Sequence, residues 1–232
     1  MPSYIIFSPT ATGPNFSELQ DEVMALGWSN RDIESIKLWL NEAHRTICGM
    51  RAWSWLETNA DVTTVANGTF FDLTTLDPKI QWFGRVRNKD KDQKYLEYFD
   101  VRNPQDYFAR RADPAYELDI PRGKPTRFAL WDNKLWWEAV PDGAYEYRFF
   151  YYRRAADLFT DSDEPVIPSA WRLAMVYDAA MRGKLRVNDA QMVQAYKALR
   201  DEVLQDMISG DQRKEFQTTN RVTLPARYGI RR

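Results

Sequence analysis

Apolar positions in the first fifty residues recur at helical spacing. Phe16, Leu19, Val23 and Leu26 stand three and four apart around Ser17-Glu18-Leu19-Gln20, a Ser-x-x-Gln helix start, and Gly27 follows as a stop. A second helix is predicted from Ser29-Asn30-Arg31-Asp32 to about Arg51, with Ile33, Ile36, Leu40, Ala43, Ile47 and Met50 on one seam and Gly49 weakening its end. From Trp53 the period changes from helical to alternating. Val62–Val65 and Thr69–Leu73 flank Ala66-Asn67-Gly68, which predicts a hairpin because Asn-Gly tolerates positive φ. Ile80–Val86 and Lys94–Phe99 read as two further strands joined by the charged run Asn88–Asp92. Asn103-Pro104 predicts a short helix to about Arg111. Thr126–Trp131 and Lys134–Ala139 form a tight hairpin on Asp132-Asn133, and Tyr145–Arg153 completes an expected meander of about seven strands.

The helical period returns after Arg154. Pro168-Ser169 predicts a helix with Ala170, Leu173, Val176, Tyr177 and Ala180 on one face and Gly183 near its end. Asn188-Asp189 predicts another, with Met192, Tyr196, Leu199, Val203 and Met207 as its stripe and Gly210 as its terminator. Residues from about Gln212 lack periodicity. From Gln217 onward there are four arginines and no acidic side chain, which predicts a basic, extended tail that orders on a partner. The fold class is therefore α+β: a four-helix bundle from residues 1–57 and 154–211, an inserted antiparallel β domain over 58–153, and an extended C-terminal docking tail over 212–232.

Charge and cysteine content narrow the chemistry. The 32 basic and 33 acidic side chains of this 232-residue chain nearly cancel, which argues against non-specific nucleic-acid binding through a large positive excess. No stretch approaches the roughly 20 apolar residues of a membrane span, and the apolar run Tyr4–Phe7 is too short for a secretory signal. One cysteine, Cys48, precludes an internal disulfide, and one histidine, His44, precludes any site that needs two imidazoles from one chain.

His44 and Cys48 stand one helical turn apart and share a face, the spacing of a nucleophile and its base, but a structural role is favoured because nothing completes the set. Asp157, Asp161, Asp163 and Glu164 offer oxygen ligands of the kind a hard cation takes, against the plainer reading of acids near a helix N-terminus. No phosphate-binding glycine loop, nucleophile elbow or zinc-protease motif occurs. The reading is not an enzyme, with no cofactor and no metal.

Aromatic side chains make up 14% of the chain, and many lie in its β region. Trp82, Phe83, Trp131, Trp136, Trp137 and the strand from Tyr145 to Tyr152 could fill a core, anchor a protein interface or stack sugars. Tyr145, Tyr147, Phe149 and Tyr151 alternate with Phe150 and Tyr152, so both faces of that strand carry rings.

Leu40-Asn41-Glu42-Ala43, Trp53-Ser54-Trp55-Leu56, Tyr151-Tyr152-Arg153-Arg154 and Asp161-Ser162-Asp163-Glu164-Pro165-Val166-Ile167-Pro168 together resemble the head-to-tail adaptor proteins of tailed bacteriophages, the tail tubular A-like or head-completion proteins. The resemblance implies a structural virion protein of the neck and tail, assembled in the host cytoplasm. It implies a homo-oligomeric ring, usually of twelve copies, that joins the portal protein to a downstream tail or nozzle protein. DNA would pass through the ring without sequence-specific binding. Under that implication Arg221, Val222, Leu224, Arg227, Tyr228, Ile230, Arg231 and Arg232 form the portal-docking tail, and Trp82, Trp136 and Trp137 face a neighbouring copy or the tail partner. Two rivals stand beside it: a carbohydrate-binding protein using Trp and Tyr platforms, and a nucleic-acid-binding module using the arginine-rich tail.

Overall fold

The computed structural model describes residues 13–90, 94–101, 107–108 and 121–218. The chain divides after Trp55 and after Arg154 into two compact units, one of helices from both ends of the sequence and one of strands between them.

In the helical unit α1 spans Phe16–Ala25 and α2 spans Ile33–Gly49. The α1 capping box lies two residues before the expected one. Asn15 Oδ1 accepts from the Glu18 amide at 2.9 Å, and Glu18 Oε2 accepts from the Asn15 amide at 2.8 Å. Gln20, the other half of the predicted box, is instead buried in the unit's interior. Gly27 stops the chain's helical path with φ of 100°, a conformation that disfavours side chains with a Cβ. At the start of α2 both the Ser29 amide and its hydroxyl donate to Asp32 Oδ2. Ile36, Leu40, Ala43 and Ile47 are buried as the seam predicts, whereas Met50 beyond the helix is exposed.

Helices α3 (Leu173–Arg186) and α4 (Ala190–Thr218) come from the other end of the chain. Helix α3 packs against α1, α2 and α4, so the two pairs of helices share one interior. Its buried face is Ala174, Met175, Val176, Ala179, Ala180 and Gly183, while the expected Leu173 and Ala170 face outward. Gly183 has no room for a side chain, because a Cβ there would sit 2.4 Å from the Trp28 ring and 2.8 Å from that of Trp39. Those two rings meet edge to face at 4.9 Å.

Of the predicted α4 stripe Tyr196 and Met207 are buried, Met192 and Val203 half-buried and Leu199 exposed, and Val193 and Leu204 complete the buried face. Gly210 does not end the helix. A Cβ at Gly210 would lie 2.5 Å from the Trp171 ring, so this glycine is where an indole packs flush on the helix, and residues 212–218 continue α4 instead of beginning an extended tail.

A buried charge network ties the helices together. Asp178 of α3 is 1% exposed and accepts from Arg182 at 2.6 Å and from Arg200 of α4 at 2.8 Å. Arg182 also donates to Glu42 and Thr46 of α2, each at 3.0 Å. Burying this carboxylate is tolerated because two guanidinium groups compensate its charge.

The β unit holds seven strands among the described residues: β1 (Glu57–Thr63), β2 (Phe70–Asp72), β3 (Ile80–Asn88), β4 (Glu97–Tyr98), β5 (Arg127–Trp131), β6 (Lys134–Trp137) and β7 (Glu146–Arg153). They form two sheets, ordered β1-β7-β3 and β2-β6-β5-β4, not one meander. Pairing is antiparallel except between β4 and β5, which run parallel.

The expected hairpin across Asn67-Gly68 is also corrected. The chain does turn there, with Asn67 at φ 66° and the Gly68 amide on the Val65 carbonyl, yet the flanking strands join different sheets. Val62 of β1 pairs with Tyr147, and Phe71 of β2 with Leu135. The hairpin on Asp132-Asn133 forms as predicted, both residues having positive φ at 52° and 55°, as a two-residue turn with matching twist requires.

The two sheets share one core. Val62, Val86, Tyr147 and Phe149 of the first sheet meet Phe128, Leu135 and Trp137 of the second. Trp137 stacks on Tyr147 at 5.1 Å. The short helix predicted over 103–111 lies outside the described residues apart from Tyr107 and Phe108. Phe108 is buried and stacks on Trp136 at 4.6 Å.

Candidate interaction surfaces

The docking residues expected in the C-terminal tail, Arg221, Val222, Leu224, Arg227, Tyr228, Ile230, Arg231 and Arg232, lie outside the described residues. The three tryptophans expected at an interface separate. Trp136 and Trp137 are 3% and 2% exposed, because β6 is an interior strand of its sheet and both of its faces are covered. Neither ring presents a surface to a partner. Trp82 is half-buried on the outer face of β3, paired with Tyr152.

The same geometry removes most of a sugar-stacking platform. Tyr147, Phe149 and Tyr151 point into the core and are 0%, 0% and 2% exposed, leaving Phe150 and Tyr152 as the half-buried rings of β7 on the opposite face.

That opposite face carries a pattern the sequence reading missed. The Arg85 guanidinium lies 4.9 Å from the centre of the Phe150 ring and 5.0 Å from that of Tyr95, and Arg87 lies 5.7 Å from Phe150. Beside them Arg148 forks onto Asp61 at 2.7 and 2.9 Å, and Lys89 reaches both Asp61 and Glu146 at 3.0 Å. Hydrogen bonds from Arg148 and Lys89 hold the Asp61 carboxyl well below the usual carboxylate range. Arg85 and Arg87 stand two apart on β3 and share this face by ordinary strand alternation, while the register shifts between Ile80 and Trp82 and between Phe83 and Arg85 break that alternation between Trp82 and the arginines.

His44 and Cys48 are buried in the helical unit. Burial lowers the imidazole pKa to about 4, with the Asp157 charge and the Ala156 backbone opposing the shift. Burial raises the Cys48 thiol to about 12, so at neutral pH it is a protonated, inaccessible group rather than a thiolate nucleophile.

The acidic run works as a clasp. Asp163 accepts from the Phe159 and Thr160 amides, and the backbone carbonyls of Asp163 and Asp161 accept from the amides of Phe16 and Ser17 at the start of α1. Asp157 pairs with Arg45 and Glu164 with Arg172. Among the described residues no group of His, Cys, Asp or Glu is arranged to hold a metal ion.

Arg172, 6% exposed, organises this region. It donates to the carbonyls of Ile167 at 3.0 Å, Pro165 at 3.1 Å and Pro14 at 2.8 Å, and to Glu164 at 3.1 Å. One guanidinium thus binds the loop before α3 to the chain entering α1.

Asp178, Arg182, Arg200, Glu164 and Arg172 of the helical unit are joined in ion pairs. The chain belongs to the SU10 adaptor protein family, whose model matches residues 14–223, a family of phage head-to-tail adaptors found at the virion neck. No curated protein matches the chain. Among the described residues no helix is long and apolar enough to cross a membrane.

Proposed function

We propose that the protein assembles into a ring, twelve copies in the form the family resemblance suggests, that joins the portal protein to the next tail component and extends the DNA channel. The observation that carries this reading is the family match, which runs through both compact units and past the end of α4. DNA passes through the ring without base-specific contacts, consistent with a formal net charge of -1.

The C-terminal segment docks on the portal. Arg221, Arg227, Arg231 and Arg232 supply planar forks for carboxylates, and Val222, Leu224, Tyr228 and Ile230 supply apolar anchors between them. Ordering each segment costs conformational entropy, which the ring offsets because, after the first, every docking event is intramolecular. Helix α4 reaches Thr218, so truncation after that residue leaves the helix whole. The truncated chain is expected to keep its circular dichroism spectrum and to lose co-sedimentation with portal. A truncated chain that binds portal with unchanged affinity refutes the assignment.

A further inference from the structure

The helical unit leaves large apolar side chains uncovered where the chain enters α1. Phe159 is 78% exposed, Val166 44% and Leu173 45%. Val166 and Leu173 flank one buried group, Arg172. Val166 stands between Pro165 and Ile167, whose carbonyls both accept from Arg172, and Leu173 directly follows that arginine. Phe159 is tied in through Asp163, which accepts its amide and whose carbonyl accepts the Phe16 amide.

The entering chain is fixed at this same place. Arg172 holds the Pro14 carbonyl, and Gly13 lies so close to Ser169 that a Cβ would sit 2.2 Å from that side chain's Cβ. Residues preceding Gly13 therefore start from the edge of the apolar patch. Their composition suits it: Tyr4-Ile5-Ile6-Phe7 is an uninterrupted apolar run, and no charged side chain precedes Glu18. At roughly 3.3 Å per extended residue, the six steps from Gly13 back to Phe7 reach up to about 20 Å. Apolar surface of this kind gains free energy by burial, and the partner within reach is in the same chain.

We propose that Tyr4–Phe7 docks on the Phe159, Val166 and Leu173 patch of its own chain, as a strap across the start of α1. The test is a pair of double-cysteine variants of the full chain, Phe7→Cys with Leu173→Cys and Phe7→Cys with Leu185→Cys. Leu185 is similarly exposed but lies at the far end of α3, and Cys48 is buried and does not compete. Mild oxidation is expected to give a fast-migrating, internally linked monomer in several-fold higher yield for the Leu173 pair. Equal yields, or a covalent dimer between chains, overturn the proposal. As a second readout, deletion of residues 2–7 should accelerate alkylation of Leu173→Cys several-fold, and an unchanged rate overturns it equally.

Discussion

Asp211 of α4 accepts both the amide and the hydroxyl of Ser54, at 3.2 and 2.5 Å, across 157 positions of sequence. The carboxylate is fully buried, and Arg51 stands 3.7 Å from its second oxygen. Stacked rings lie beside it, with Trp53 on Trp55 at 4.6 Å and Trp55 against Trp171 at 5.7 Å, and Trp171 seated on Gly210. The segment after α2 is thereby locked onto the helix that leads to the C-terminal segment.

Breaking that lock from either side has unequal effects. Asp211→Ala strips Ser54 and Arg51 of their partner and is expected to lower stability by ~3 kcal/mol, whereas Ser54→Ala removes one neutral donor and should cost about 1 kcal/mol. Urea titration of both variants checks the ratio. Equal effects would mean that the carboxylate contributes nothing beyond one hydrogen bond.

Replacing glycine by alanine inside a helix ordinarily stabilises it by roughly 1 kcal/mol. At Gly183 and Gly210 the sign should reverse, since the new methyl would collide with Trp28 and Trp39 or with Trp171. A loss of ~1–3 kcal/mol is expected for each variant, measured by thermal or urea unfolding. A gain in melting temperature at either site would show that the indole moves aside freely.

The buried imidazole predicts a pH dependence with a definite sign. His44 ionises near pH 4 in the folded chain against an ordinary value of 6.5, so between those values the unfolded chain binds more protons. Stability should be level above pH 6.5 and fall as the pH drops toward 4, by about 3 kcal/mol in total from this group. His44→Leu should flatten that part of the profile relative to the parent chain. Two parallel curves would assign the acid sensitivity elsewhere.

Trp137 and Trp82 distinguish core from surface in the β unit. Trp137→Ala empties a fully enclosed site against Tyr147 and should cost ~3–5 kcal/mol, while Trp82→Ala, half-buried on the outer face, should cost less. Chemical denaturation of the two variants gives the order directly. Comparable losses would contradict the placement of Trp82 on the outer face.

The parts legible in the sequence are those set by near neighbours. The buried seam Ile36, Leu40, Ala43 and Ile47 of α2 follows from its spacing, and the β5–β6 hairpin follows from Asp132-Asn133 between two short runs. Asn67-Gly68 signals a reversal just as clearly, but a reversal does not choose the strand's partner. Val62 pairs with Tyr147, a choice made by the core that β7 builds. On α4 the apolar stripe is legible only in part: Tyr196 and Met207 follow it, but half-buried Arg200 and buried Asp211 stand on the same face, where hydrophobicity cannot mark them. Gly210 reads as a stop for a similar reason, since the ring that needs its bare backbone comes from Trp171, 39 positions earlier in the chain. The family resemblance, in contrast, was legible in short runs such as Asp161–Pro168, and these prove to be the clasp that holds the start of α1.

The central claim, that copies of this chain form a ring on the portal, is tested most directly by negative-stain imaging of the purified full chain mixed with its portal protein. A closed ring of about twelve copies seated coaxially on one face of the portal is expected, as cooperative docking of many tails requires. A field of portals without attached rings, alongside dispersed single copies of the chain at saturating concentration, would contradict it.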